Sequence, residues 1–179
     1  MLQDVKEILF SEEVINAKIK ELAGKISNDY KGKDLLVVGV LKGSVIFAAE
    51  LIKNITIPCE IDFMAVSSYG NSTESSGVVR ILKDLDNGIE GKDVLIVEDI
   101  VDTGNTLSYL KIYLNGRGAN SVKIITLLDK PERRTAEVEV DYIGFEVPNE
   151  FIVGYGIDYA EKYRNLPFVG ILDEKVYSK

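Results

Sequence analysis

Two neighbouring carboxylates, Glu98 and Asp99, lie at the end of an aliphatic run and just ahead of Asp102-Thr103-Gly104-Asn105-Thr106. The whole piece, VLIVEDIVDTGNTL from Val94 to Leu107, joins a buried-strand pattern to a turn that opens a helix. Backbone N–H groups, a glycine and two threonine hydroxyls at a helix N-terminus form a cradle for phosphate. Glu98 and Asp99 repel phosphate but suit sugar hydroxyls or a Mg²⁺ ion. Together they read as a site for a phosphorylated sugar. The plainer alternative is a core strand with Asp102 or Thr103 capping the next helix. The strand, the acidic pair and DTG-x-T in one uninterrupted segment favour the sugar-phosphate reading.

Two features of composition narrow the chemistry. The chain has no histidine, which excludes Ser-His-Asp and Cys-His catalysis and His-ligated metals. Proton transfer must then fall to carboxylate, lysine or tyrosine. A formal net charge of −8 opposes sequence-independent binding of nucleic acid, which needs a basic face. It leaves a phosphorylated small molecule open, since oriented amides or Mg²⁺ can hold one locally. The lone cysteine, Cys59, precludes an internal disulfide and reads as a small buried hydrophobe. No apolar run approaches the ~18 residues of a membrane span. Lys6 and Glu7 interrupt the N-terminus before any useful apolar stretch, so a cytoplasmic protein is expected.

The elements that must position these groups can be read along the 179 residues, a length that suits one domain. Ser11 caps a predicted helix to about Tyr30, with Ile15, Ile19, Leu22 and Ile26 on one face. LLVVGV (Leu35–Val40) is a buried strand leading into Leu41-Lys42-Gly43-Ser44 and a helix to about Lys53. Strands are expected at 57–66 and 78–85, separated by the polar segment 67–77. The helix from Thr106 should end near Gly116 or Gly118, before a strand over Val122–Leu128. Shorter strands are expected at 138–145, 151–153 and 168–172. Alternating strands and helices give a single α/β domain with a mainly parallel central sheet flanked by helices. Loops at strand C-termini converge on one crevice, so Lys42-Gly43 should face the 99–106 turn.

Further motifs follow in chain order. SSYGNSTESSG (67–77) is too polar to bury, and reads as a lid or an idle hairpin tip. Lys130 follows Leu127-Leu128-Asp129 at a strand end, where a solvated lysine is the commoner fate. On spacing alone Phe151 is a core aromatic. Asp158 and Lys162, within VGYGIDYAEKYRNLP (153–167), have the spacing of a helical surface ion pair.

In order, the motifs LKGS, SSYG, VEDIVDTG, LLDK, GFEVP and VGYGIDYAEKYRNLP resemble those of the hypoxanthine-guanine phosphoribosyltransferase family, a branch of the type I phosphoribosyltransferases. The likeness runs from about Ile8 to Leu172. It implies the type I phosphoribosyltransferase fold, with a small hood and a flexible loop over 67–77. The implied reaction is Mg²⁺-dependent transfer of the phosphoribosyl group of phosphoribosyl pyrophosphate (PRPP) to hypoxanthine or guanine, with xanthine as a further candidate. By resemblance, Glu98 and Asp99 face the ribose, while Thr103, Gly104, Asn105 and Thr106 hold the 5-phosphate. Asp102 is then the general base near purine N7. Lys42, Gly43, Ser68, Tyr69 and Arg164 bind pyrophosphate, and the Lys42–Gly43 peptide is expected to be cis. Lys130, Phe151, Ile152 and Asp158 bind the purine, Lys130 through its 6-oxygen. Glu98, Asp99 and Asp158 are the expected metal ligands. Asn105 stands where some relatives carry lysine or arginine, which shifts the phosphate site towards amides and hydroxyls. The family associates as homodimers or homotetramers. An RNA-binding regulator on the same fold is the rival reading, and the −8 charge weighs against it.

Overall fold

The computed structural model describes residues 1–68 and 79–178. Its elements run β1 (Val5–Phe10), α1 (Glu12–Asp29), β2 (Leu35–Leu41), α2 (Val45–Asn54), β3 (Glu60–Ser68) and β4 (Val79–Lys83). They continue through β5 (Asp93–Val101), α3 (Asn105–Asn115), β6 (Ser121–Asp129), β7 (Tyr142–Glu146), β8 (Ile152–Val153) and β9 (Val169–Leu172). The main sheet has the order β4-β3-β2-β5-β6-β7, parallel except for β4 on the edge.

Alternation along the strands divides the core between two faces. Val37, Leu95, Val97, Ile125 and Leu127 pack under α1 and α2, against Ile15, Ile19, Leu22, Phe47 and Leu51. Leu36, Val38, Val94, Ile96 and Ile124 point the other way, against Leu107, Leu110 and Leu114 of α3. A strand buried on both faces must read as a continuous aliphatic run, which is why LLVVGV and VLIV are legible. Each buried Leu, Ile or Val contributes about 1.5–3 kcal/mol relative to exposure. Ser11 caps α1 as expected, its hydroxyl accepting from the Val14 N–H at 3.4 Å.

A second, three-stranded antiparallel sheet, β1-β9-β8, forms the small hood. It closes over Val153, Tyr163, Leu166, Phe168 and Leu172. β1 has no counterpart in the sequence reading. Its burial is intermediate to exposed throughout, so no aliphatic run marks it. The strand expected over 138–145 begins only at Tyr142, because Val138 and Val140 turn down onto the α3 side of the core. Ser44 does not cap α2. Its hydroxyl is buried without a hydrogen-bond partner among the described residues. No helix among the described residues is long and apolar enough to cross a membrane.

Candidate active site

The parallel strands β2, β5 and β6 end on the same edge, at Leu41, Val101 and Asp129, and the expected site residues gather there. β5 does not stop before the acidic pair but runs through it. Glu98 curls back so that its Oε1 accepts from the Asp99 N–H at 3.2 Å, and Asp99 Oδ1 accepts from the Ile100 N–H at 2.8 Å. Asp99 is buried and lies against Gly43, where any Cβ would overlap its carboxylate. This close approach explains the glycine in LKGS. Burial, followed by the charge of neighbouring Asp99, holds the Glu98 carboxyl well above the usual range. Burial also raises Asp99. Two carboxyls packed so closely resist double ionisation.

The turn after β5 places Gly104 at φ +83°, a conformation open to glycine at little cost. The Asn105 N–H points to Thr103 Oγ1 at 3.4 Å. The Thr135 and Ala136 N–H groups both donate to the Thr103 carbonyl, at 3.0 and 3.1 Å, so the chain after β6 holds the turn. A cavity of about 460 Å³ opens over it, lined by Glu98, Asp99, Asp102, Thr103, Gly104 and Thr106, with Gly43, Asp158 and Arg164 opposite. Asn105 does not line it.

A second cavity, of about 260 Å³, adjoins through shared walls at Ile100 and Asp102. Lys130, Arg133, Phe151 and Ile152 line it. Lys130 is buried rather than solvated, its Nζ donating to the Glu150 carbonyl at 2.8 Å. Burial pushes its ammonium pKa down. Phe151 is 49% exposed, not a core aromatic. Its ring lies tilted against Tyr177, with centroids 4.2 Å apart, and edge-on to Tyr159 at 6.0 Å.

Arg133 sits at the mouth of this cavity and was not anticipated. Its Nε donates to Asp102 Oδ1 at 3.0 Å. Arg134 Nε donates to the Asp102 main-chain carbonyl at 3.2 Å and pairs through its other end with Asp129. The clue in the sequence was Glu132-Arg133-Arg134 directly after a strand end.

Residues 155–164 are not helical, so Asp158 and Lys162 form no i,i+4 pair. Tyr155, Ala160, Glu161 and Tyr163 all have positive φ, from 50° to 76°. Such clusters of left-handed residues persist only where their surroundings dictate them. Asp158 pairs instead with Arg164, whose Nη2 lies 2.9 Å from Oδ1. Arg164 Nη1 donates to the Gly156 carbonyl at 2.8 Å. Gly156 packs directly on the Gly43 carbonyl, bringing the segment onto the β2–α2 loop. Asp158 lines the larger cavity rather than the smaller one beside Phe151 and Ile152.

The cis peptide in the β2–α2 loop is Leu41–Lys42, one position before the expected Lys42–Gly43. Lys42 Nζ points to Glu161 Oε2 at 3.0 Å. Ser68 ends β3, and Tyr69, with the rest of the expected lid through Gly77, lies outside the described residues.

Glu98, Asp99 and Asp158 border one cavity but do not form a tight cluster. Among the described residues, no group of three or more Asp, Glu, Cys or His is gathered closely enough to hold a metal alone. The donors nevertheless fit Mg²⁺, which binds through one or two carboxylates, keeps several waters and takes its remaining ligands from a substrate's phosphates. Two crowded carboxyls with raised pKa form a site that a cation would relieve.

A mainly parallel sheet with a glycine turn and a helix start at its C-terminal edge, and an acidic pair beside it, is the arrangement with which open α/β folds take phosphorylated ligands. The chain belongs to the phosphoribosyl transferase domain family, whose model matches residues 6–160. It is 59% identical over 176 residues to the hypoxanthine-guanine phosphoribosyltransferase of Streptococcus agalactiae, spanning 98% of each chain. Identity to the enzyme of the same name from Streptococcus mutans is 59% over 177 residues, covering 99% of this chain and 98% of that one. The fold matches a hypoxanthine phosphoribosyltransferase from Staphylococcus aureus with a TM-score of 0.97 at 53% identity, covering 100% of this chain and 97% of the other.

Proposed function

We propose that this protein is a purine-salvage enzyme that transfers the 5-phosphoribosyl group of PRPP to hypoxanthine or guanine, giving IMP or GMP and pyrophosphate. The observation that carries this reading is the position of Asp102, whose residue borders both cavities. In the larger one, the amides and hydroxyls of Thr103, Gly104 and Thr106 hold the 5-phosphate, and Glu98 and Asp99 take the ribose hydroxyls. Gly43, Lys42 and Arg164 face the pyrophosphate, joined by Ser68 and Tyr69. In the smaller one, Phe151 stacks on the purine, the Ile152 backbone meets the ring edge and Lys130 donates to the 6-oxygen.

In the reaction, the bond from C1 to pyrophosphate breaks, the bond from C1 to purine N9 forms, and Asp102 accepts the proton from N7. Arg133 holds Oδ1 of Asp102, while Oδ2 has no partner among the described residues and is left to receive that proton. The negative field of Glu98 and Asp99 favours positive charge developing at C1. Mg²⁺, held by Glu98 or Asp99 and by Asp158 together with the substrate's phosphates, would neutralise the leaving pyrophosphate. Asp158 uses its carboxylate on the metal and pyrophosphate side, which leaves its main chain for the purine. Lys130 selects for a 6-oxo group because the amino group of adenine would face it donor to donor.

A cytoplasmic homodimer or homotetramer is expected from the family likeness, and light scattering of the purified chain would decide between the two. The reaction is tested by pyrophosphate release from PRPP and Mg²⁺. Release should require hypoxanthine or guanine, and release without a base would contradict the transfer.

A further inference from the structure

Glu161 stands between two cations that come from distant parts of the chain. Its Oε2 accepts from Lys42 Nζ at 3.0 Å, and its Oε1 accepts from Arg164 Nη2 at 3.3 Å. Its backbone sits at φ +62°, and its N–H donates to Asp158 Oδ2 at 2.8 Å. Asp158 therefore fixes the turn that aims the Glu161 carboxylate at Lys42 and Arg164.

Lys42 and Arg164 are also the cations assigned above to pyrophosphate. Two acidic oxygens bridging them occupy the same kind of position as oxygens of a diphosphate. We propose that Glu161 is a resident anion of the pyrophosphate subsite, engaging Lys42 and Arg164 when the subsite is empty and competing with the diphosphate of substrate and product. The inference rests on the functional reading above and adds a residue that sets how tightly pyrophosphate is held. Displacement is cheap. Lys42 and Glu161 are 70% and 66% exposed at their side chains, where ion pairs are weak and exchange readily. Arg164 keeps its place when Glu161 lets go, because Asp158 Oδ1 and the Gly156 carbonyl still hold it. Its Nε is buried with no partner among the described residues, so the guanidinium is not saturated by its present neighbours.

The test is titration calorimetry of inorganic pyrophosphate with Mg²⁺, beside IMP, on the wild type and on Glu161→Gln. Loss of the competing charge should tighten pyrophosphate about fivefold, the scale of one or two exposed ion pairs, and leave IMP unchanged. Glu161→Gly is a second variant that suits the positive φ and should shift pyrophosphate in the same direction. Pyrophosphate affinity that is unchanged or weaker in both variants, with IMP bound normally, would overturn the inference. A wild type that binds neither pyrophosphate nor IMP would instead overturn the functional reading.

Discussion

Arg133 donates its Nε–H to Oδ1 of Asp102 at 3.0 Å, from a short turn whose preceding residue is Lys130. One turn therefore carries both the amine assigned to the purine 6-oxygen and the guanidinium that orients the assigned base. Asp102→Asn keeps the shape of the side chain but cannot accept the purine proton. It should lower kcat by about 10²–10⁴-fold while PRPP still binds. Unchanged turnover would remove Asp102 from the base role. Arg133→Ala should lower kcat about tenfold, and adding it to Asp102→Asn should cost little more, since both act through one carboxylate. Additive losses in steady-state kinetics would separate the two residues.

Lys130 is buried and turned onto the Glu150 carbonyl, so a purine 6-oxygen must compete with that carbonyl for it. Lys130→Ala should therefore raise KM for guanine and hypoxanthine by about 10–100-fold, the cost of one charge-assisted hydrogen bond. PRPP affinity should stay within about twofold in the same variant, far below the loss expected for a charge-assisted bond. Equal losses for both ligands would mean that the lysine supports the fold rather than the base.

Gly43 has no room for a methyl group, because a Cβ there would overlap the Asp99 carboxylate. Gly43→Ala should destabilise the protein by about 1–3 kcal/mol, as overpacking does, and should also displace Asp99. Thermal unfolding together with PRPP titration would read both effects. A variant as stable and as competent as wild type would contradict the close packing of the β2–α2 loop on β5.

Glu98 and Asp99 make a prediction about pH. Their carboxyls are raised by burial, and for Glu98 also by the adjoining charge. In the window between the ordinary carboxylate range and the raised values, the folded protein holds more protons than the unfolded chain. Stability of the unliganded protein should thus fall as pH rises through that window and recover on acidification. Glu98→Gln should flatten the dependence. Mg²⁺-PRPP favours the ionised pair, so its binding should release protons and strengthen with pH over the same window. Calorimetry in two buffers of different ionisation enthalpy measures that release. Identical apparent enthalpies would contradict it.

The parts of the molecule that proved legible in sequence are those where one local rule decides the outcome. β2, β5 and β6 are buried on both faces and advertise it with unbroken aliphatic runs. Gly104 and the threonines beside it mark a strand-to-helix turn by chemistry that depends on few distant residues. β1 stayed hidden because it pairs with β9, more than 150 residues away, and buries little of its own surface. Residues 155–164 mislead because Asp158 and Lys162 have helical spacing, while contacts from Gly43 and the hood hold the backbone in left-handed turns. Arg133, despite its neighbouring charges, and Glu161 escape notice for a similar reason. A charged residue in a loop reads as solvated until the fold shows which opposite charge it meets.

The most direct measurement is nucleotide formation with PRPP and Mg²⁺, offering hypoxanthine, guanine, xanthine and adenine separately. Hypoxanthine and guanine should turn over with adenine inert, because adenine would oppose its amino group to Lys130. Turnover of adenine at a comparable rate would contradict the role of Lys130. No turnover of any base by folded protein that still binds PRPP would contradict the transfer itself, and would direct attention to RNA binding.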